Sequence, residues 1–459
     1  MKASASRTIL TQVFVTAITV ATINSVAIAQ STLQTDHFTT QLWAPNQPVC
    51  ILAHNPNHEK LELPQPYSPP TIQEIYGPGI TEDNLVTLTK TQDYLRPQKV
   101  AVGDNVVLVV TYGDDANEGF NDPVLGALRR AAFEHGMNVW AANLQGPATI
   151  SISATMTALG GSGTGALLAS AAPAGFFRTF RRGFVLLAPI ANTWYPEALV
   201  EIITGIDPNN NRLDINVTFN SDVDNDVVLG DTGFYYGTDA NPGTDIDFVT
   251  ITIHELCHGF GFSDSFDDTG NFGDFLPSPR NPTVFDHFLV NGAGTPLISL
   301  TASPDNVTGD NVFWSGLHGR YAFNKDFGGT GDVPMFAPTP FQGESSISHL
   351  DEFTFDGIWE LQTPDNSSAV HTPDLIVMGI LQDIGHSLPH SRYVDINANG
   401  FEDGSSAHPF NNLIVGIDRV PDQGIVRILP GNYLVPKNYS INRIMQLRSS
   451  GGVVVIGAQ

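Results

Sequence analysis

The chain has 459 residues, 41% of them hydrophobic, which is enough for a large core and for two or three domains. Its 47 acidic residues outnumber its 21 basic residues, and the net charge of -26 repels nucleic acid and anionic membranes, so we expect no nucleic-acid partner. The two cysteines, Cys50 and Cys257, exclude a disulfide-rich scaffold and leave open one disulfide between them.

Residues 1–29 have the features of a secretory signal peptide. Lys2 and Arg7 precede a mostly apolar stretch that ends in the small-x-small triplet Ala27, Ile28, Ala29. An uncleaved membrane anchor is the alternative, but the apolar run is short and is interrupted by Thr and Asn. We therefore expect cleavage near Ala29, no stable membrane insertion, and a secreted protein in the extracellular space, in the periplasm or at the cell surface.

The next segment, residues 30–97, is rich in proline and weakly periodic, as in "LELPQPYSPPTIQEIYGPG". This composition predicts an extended N-terminal segment or a propeptide.

Residues 98–390 alternate between strand and helix signals. "NVVLVVTY", "ATISISATM" and "DINVTFNS" are predicted strands, and "NTWYPEALVEIITG" is a predicted helix. Another helix is predicted in "NDPVLGALRRAAFEHGMNVWAANL", whose apolar face consists of Leu125, Leu128, Ala132 and Val139. The glycine-rich "GGSGTGALLAS" from Gly160 fits a dinucleotide-binding loop poorly and is predicted to be a flexible loop. The order of elements indicates a mixed α+β domain.

The stretch "TITIHELCHGFGFSDSFDD" places His254 and His258 four residues apart, on one face of a predicted helix. Two imidazoles at this spacing can bind one Zn²⁺, and Glu255 can act on a water beside the ion. Gly259 and Gly261 would let the chain turn away from the helix. The alternative is a buried helix whose histidines have this spacing by coincidence, but the position after a strand in an exported chain favours a zinc site.

A zinc site of this kind needs a third protein ligand, and the sequence offers two candidates. Asp264 lies ten residues after His254, and His349 lies in the later segment "GESSISHLDEF". Asp264 also has a simpler interpretation, as a solvated or calcium-binding carboxylate in "SDSFDD".

Residues 106–388 resemble the leishmanolysin-like branch of the metzincin zinc metalloproteases. In that branch the motif H-E-x-x-H-x-x-G-F is followed by S-H-W-D, then E-L-M-T-P, then L-Q-D-L-G-Y. The same order occurs here as "HELCHGFGF", "SHLDE", "WELQTP" and "LQDIGH". The ordered set covers most of the mature chain and is more specific than any single motif.

The resemblance implies a metzincin-like fold in which His254, His258 and His349 bind one zinc ion per chain and Glu255 is the general base. It also places Gln362 where the family has the methionine that packs beneath the zinc ligands, which leaves the rigidity of the site in question. In such relatives a propeptide thiolate can hold the enzyme latent, and Cys50 could act in this way. A disulfide with Cys257 and an unpaired thiol remain the alternatives for Cys50.

Acidic segments recur at "DPNNNRLD" from Asp207, at "SDVDNDVVLGD" and at "DINANGFEDGSS", where Asp395 begins a loop that only partly matches an EF-hand. Ordinary turns are the expected structure there, and Ca²⁺ is a secondary expectation. Residues 391–459 alternate short β runs with turns and resemble the first coils of a pectate lyase-like β-helix, so we expect a small all-β appendage.

Two functions follow from these patterns. The first is a secreted zinc endopeptidase that acts on protein or peptide substrates. The second is an adhesion or carbohydrate-binding protein whose metal site is structural or inactive. Glu255 favours the enzyme, because a structural site needs no glutamate beside its ligand.

Overall fold

The computed structural model describes residues 39–41, 49–53, 99–102 and 106–458, with gaps at 183–184, 187, 211, 274–275, 277–279, 344, 356–360, 365–368, 390, 401, 403, 407, 421–423, 438, 442–444 and 451. The predicted signal peptide, residues 1–29, and most of residues 30–97 lie outside the described part. No helix in the described part combines the length and the hydrophobicity needed to cross a bilayer.

The described strands follow in chain order: β1 (Thr39–Gln41), β2 (Val49–Ala53), β3 (Lys99–Val102), β4 (Val106–Tyr112), β5 (Ala148–Thr157), β6 (Gly165–Pro173), β7 (Phe176–Arg178), β8 (Arg181–Arg182), β9 (Val185–Leu186), β10 (Tyr195–Pro196), β11 (Ile215–Asn220), β12 (Phe234–Tyr235), β13 (Ile246–Asp247), β14 (Leu289–Asn291), β15 (Val312–Trp314), β16 (Val333–Pro334), β17 (Ser391–Val394), β18 (Ile425–Ile428), β19 (Gly431–Val435), β20 (Gln446–Ser449) and β21 (Val454–Ala458).

The described α-helices are α1 (Gly126–Asn143), α2 (Glu197–Thr204), α3 (Phe248–Gly259), α4 (Leu317–Asp326), α5 (Glu352–Phe355), α6 (Leu375–Ile384) and α7 (Leu413–Asp418). Short 3-10 helices lie at Gly119–Asn121, Ser221–Asp224, Phe285–Phe288, Leu297–Ser299 and Pro304–Asn306. Helices and several sheets share one chain, so the predicted α+β class is confirmed.

The largest sheet has six strands in the order β2-β6-β11-β5-β4-β3. Strands β4, β5 and β11 run parallel, whereas β2, β3 and β6 pair antiparallel with their neighbours. The strands predicted from "NVVLVVTY", "ATISISATM" and "DINVTFNS" are its three parallel members. Along β5 buried positions alternate with more accessible ones, as the period-two pattern predicts for a strand.

Two described strands come from the N-terminal segment 30–97. Strand β2 forms one edge of the six-stranded sheet, where Cys50 is paired with Ala169 of β6. Strand β1 pairs antiparallel with β7. The segment predicted to be a propeptide therefore contributes strands to the sheets of the following domain.

Helices α1 and α3 pack against each other beside the main sheet. The indole Nε1–H of Trp140 in α1 donates a hydrogen bond to the carbonyl of Ile253 in α3 at 2.8 Å. Ala132 and Val139 of the predicted apolar face are fully buried, but Leu128 is 52% exposed, so its assignment to the core was wrong.

The glycine-rich segment from Gly160 is only partly a loop. A tight turn precedes Gly165, where β6 begins, and β6 is mostly buried and lies between β2 and β11 in the sheet. The predicted flexible loop was therefore wrong for "GALLAS". These small side chains fit a strand that is covered by helix α3.

The C-terminal segment has a hydrophobic cluster of its own, which extends from Val394 to Tyr433, whereas the main cluster ends at Leu388. Strands β17, β18 and β20 pair in parallel, and β19 and β21 form a second parallel pair. Successive parallel strands of this kind are typical of a β-helix coil. The segment also contains helix α7, so the prediction of an all-β appendage was wrong.

Candidate metal centre

Helix α3 carries the histidine motif and is buried along its whole length. Its first turn is fixed by Asp247, whose Oδ1 accepts hydrogen bonds from the backbone N–H of Thr250 at 2.7 Å and from its hydroxyl at 2.8 Å. At the other end, a Cβ atom on Gly259 would lie 2.4 Å from Ile215 of β11, so only glycine lets the helix approach the sheet this closely. Gly261 has φ of 106° and turns the chain away.

Three histidine side chains meet at this helix. His254 and His258 lie one turn apart on α3, and His349 comes from the loop that follows β16. The Nε2 atom of His254 lies 3.1 Å from Nε2 of His349 and 3.1 Å from Nε2 of His258. All three residues have an exposed fraction of 0%.

The opposite ring nitrogens determine what these Nε2 atoms can do. Each Nδ1 faces a backbone carbonyl, that of Leu361 for His254, of Phe262 for His258 and of Ser345 for His349, at 2.7 to 2.8 Å. A carbonyl can only accept, so each Nδ1 carries the hydrogen and each Nε2 is left with a lone pair. Three lone pairs that face one another repel, and a cation between them removes the repulsion.

The protonation states agree with a ligand role. Burial lowers the pKa of His254 to about 4 and that of His349 to about 3, and burial with the neighbouring histidines lowers the pKa of His258 well below its usual value. The imidazoles are therefore neutral at neutral pH, as metal ligands must be. Bonds of 2.0 to 2.1 Å to one tetrahedral ion would separate the nitrogens by about 3.3 Å, close to the spacing found. The three histidines could hold a metal ion.

Glu255 is the other polar side chain of the motif. Its exposed fraction is 0%, and neither carboxylate oxygen has a hydrogen-bond partner among the described residues. Burial raises the pKa of this carboxyl well above its usual value. A buried carboxylate without a partner is costly, and a nearby cation with a bound water would offset this cost.

The two candidates for the third ligand have different positions. His349 belongs to the histidine group, and Asp264 does not. The carboxylate of Asp264 instead accepts hydrogen bonds from the Ser348 hydroxyl at 2.7 Å and from the backbone N–H of Phe266 at 2.7 Å. Asp264 thus contacts the residue next to His349. Ser348 was not among the residues predicted from the sequence, although its position next to His349 was the available signal.

Gln362 is fully buried and lies against two of the three histidines. Its Nε2 is 2.9 Å from Nε2 of His258 and 3.5 Å from the carbonyl of His254. Its Oε1 is buried and has no hydrogen-bond partner in the described part of the chain. The amide therefore competes for the lone pair that would bind the metal.

The two cysteines were candidates for a disulfide, and Cys50 was also a candidate for a latency switch. Cys257 is a buried free thiol on α3. Only the backbone of Cys50 is described, in β2, and its side chain lies outside the described residues. The latency role of Cys50 stays a prediction.

Comparison with known proteins gives a partial match. Residues 191–330 match the model of a family described as SPBPB7E8-like. The matched region includes His254, Glu255 and His258 and ends before His349. Neither the curated proteins nor the solved structures contain a match to this chain.

Proposed function

We propose that the protein is a secreted zinc endopeptidase similar to the leishmanolysin-like metzincins. The observation that carries the proposal is the buried carboxylate of Glu255, which has no partner among the described residues and directly follows a ligand of the three-histidine group. A structural zinc site requires only protein ligands, almost always four of them. A hydrolase also requires a base beside them.

Zinc is the metal that suits the donors best. Three neutral imidazoles and no thiolate form the group, which is the ligand set of several catalytic zinc sites. Three protein ligands also leave a fourth position for water or substrate. We expect one zinc ion per chain.

The residues of the chain have distinct roles in peptide hydrolysis. His254, His258 and His349 would hold the ion, and backbone carbonyls accept hydrogen bonds from their Nδ1–H groups and so orient the rings. A bound zinc ion supplies a Lewis acid that lowers the pKa of water toward about 7 and polarises the substrate carbonyl. Glu255 accepts the proton of the attacking water and then transfers it to the nitrogen of the leaving amine. The charge of a bound ion would favour the ionised form of Glu255 despite its burial.

His254, Glu255, His258 and His349 all have an exposed fraction of 0%, so a peptide substrate needs these side chains to become accessible. This fits a protein made in a latent form, as predicted for a chain with a propeptide. Activity should therefore be measured on the intact chain and after limited proteolysis.

The test compares wild type with Glu255→Gln and with Glu118→Gln, a matched change at an exposed glutamate. Wild type and Glu118→Gln should hydrolyse casein after processing, and all three proteins should contain about one zinc. Glu255→Gln should lose activity by about 10²- to 10⁴-fold, because the amide cannot accept the proton. If all three bind zinc and none hydrolyses a broad set of unfolded proteins, a binding protein with a structural zinc site becomes the better interpretation.

A further inference from the structure

The C-terminal segment has an open end. Strand β20 is the outer member of the sheet β17-β18-β20, and β21 is the outer member of the pair β19-β21. Each of these two strands, which together we call the outer coil, pairs with one neighbour only among the described residues. The other edge of such a strand presents backbone N–H and C=O groups to which a further strand can pair.

The apolar interior is also open at the outer coil. The register places Leu447 beside Val426 and Ile456 beside Tyr433. Neighbours in register lie on the same face of a sheet, so Leu447 and Ile456 face the interior in which Val426 and Tyr433 are buried, at 0% and 1% exposure. Leu447 and Ile456 are nevertheless 40% and 45% exposed. They therefore extend the core by one layer that is itself only partly covered.

The outer coil lies in a basic part of an acidic chain. Residues 424–459 contain four basic residues, among them Arg448 of β20, and no acidic residue, whereas residues 391–423 contain five acidic and two basic residues. The whole chain has a net charge of -26, so two copies repel each other over most of their surface. At the outer coil this repulsion is reduced.

We propose that the outer coil binds the outer coil of a second copy of this chain. An open strand edge needs backbone partners, which the hydrocarbon of a lipid surface does not offer. The two open edges belong to different sheets, and a second copy presents the same two edges at the same separation. A two-fold axis perpendicular to the sheet β17-β18-β20 makes the new pair of β20 strands antiparallel and keeps both Leu447 side chains on the inner face.

The sequence of β20, "QLRS", fits pairing with itself. When Leu447 lies opposite the partner's Leu447, Arg448 lies opposite the partner's Gln446. This register joins two apolar side chains and avoids two arginines directly opposite each other, which would be destabilising. The basic outer coils then lie between the more acidic residues 391–423 of both copies, at about two strand spacings, which is roughly one Debye length. The charges of the two copies are therefore complementary in this arrangement.

The size of the outer coil sets the strength of the dimer. Strand β20 has four residues and β21 has five, fewer than the roughly 20 to 30 residues a side of a standard interface. We therefore expect a reversible dimer with a dissociation constant in the micromolar range.

Sedimentation equilibrium of the full chain, from about 1 to 300 μM at roughly 0.15 M salt, measures the association. Wild type should dimerise. Leu447→Glu should weaken the dimer at least tenfold, because it places two carboxylates opposite each other in an apolar interior. Leu317→Glu, the same change at a residue that is 64% exposed at the start of helix α4, should dimerise as wild type does.

A cross-link locates the contact and does not depend on the stability of Leu447→Glu. In a chain that also carries Cys50→Ser, Leu447→Cys should form a disulfide-linked dimer on mild oxidation with diamide, whereas Leu317→Cys should stay unlinked. A wild-type chain that remains monomeric over the whole concentration range overturns the proposal, and so does a dimer that Leu447→Glu leaves intact. If Leu447→Glu proves to be unfolded, the cross-link decides: a linked Leu447→Cys dimer supports the proposal, and its absence overturns it.

Discussion

The carboxylate of Asp264 and the hydroxyl of Ser348 are joined by a hydrogen bond of 2.7 Å across 84 positions of sequence. A second hydrogen bond runs from the backbone N–H of Asp264 to the same hydroxyl at 3.1 Å. The segment that leaves helix α3 is thereby tied to the loop that carries His349. Asp264, which the sequence offered as a candidate metal ligand, therefore positions the loop that carries His349.

This arrangement predicts that substituting His349 and substituting Asp264 have different effects on metal binding and on stability. His349→Ala should abolish tight metal binding, because two histidines remain. Asp264→Ala should keep one metal per chain and destabilise the fold by about 1 to 3 kcal/mol, since the Ser348 hydroxyl loses its acceptor. Metal analysis and denaturant unfolding measure the two effects. Metal loss in Asp264→Ala with full retention in His349→Ala would reverse the assignment.

Ser348→Ala provides the control for the positioning role. If Asp264 acts through Ser348, the double variant should cost clearly less than the sum of the two single variants. Additive costs would mean that Asp264 stabilises the site by another route.

The position of Gln362 predicts that its substitution by methionine strengthens metal binding. The Nε2 of His258 can only accept, so the Gln362 amide N–H that lies 2.9 Å away donates to the lone pair needed by the metal. Binding must break this hydrogen bond. Gln362→Met removes it together with an unpartnered buried oxygen, so zinc should bind about 3- to 10-fold more tightly. Competition with a chromogenic chelator measures the affinity.

The matched control is Gln382→Met, a partly exposed position on helix α6. It should leave zinc affinity unchanged. Weaker binding in Gln362→Met would instead indicate that the Gln362 carbonyl contributes to holding the metal.

Local patterns predicted much of the framework but little of the support around the site. Strands β4, β5 and β11 were predicted from their apolar patterns, and helix α3 was predicted from the four-residue spacing of His254 and His258. Strand β6 was missed because its small residues give little hydrophobic signal. The carbonyls of Leu361 and Ser345 orient two of the histidine ligands. Every residue has a backbone carbonyl, so the identity of a residue does not reveal this role. The proximity of His349 to the other two histidines came only from the family resemblance, because His349 lies 91 positions after His258 and 95 positions after His254.

Histidine burial outside the metal group gives a prediction about pH. His386 follows helix α6 and is 3% exposed, and its Nε2 lies 2.7 Å from the carbonyl of Phe260, the residue directly after helix α3. Its Nδ1 is buried with no partner among the described residues, so the neutral ring donates through Nε2. Burial lowers the pKa of His386 to about 4.

Because the pKa of His386 is near 6.5 in the unfolded chain, that chain takes up a proton below pH 6.5 while the folded chain does not until about pH 4. The contribution to stability is therefore full above pH 6.5 and falls as the pH drops, by about 2 kcal/mol at pH 5. His386→Gln keeps an N–H donor for Phe260 but does not titrate. Urea unfolding of metal-free protein at pH 7.5 and pH 5 should show that the variant loses about 2 kcal/mol less than wild type. An equal loss in both proteins would mean that His386 is already protonated in the fold, with the Nδ1–H hydrogen-bonded.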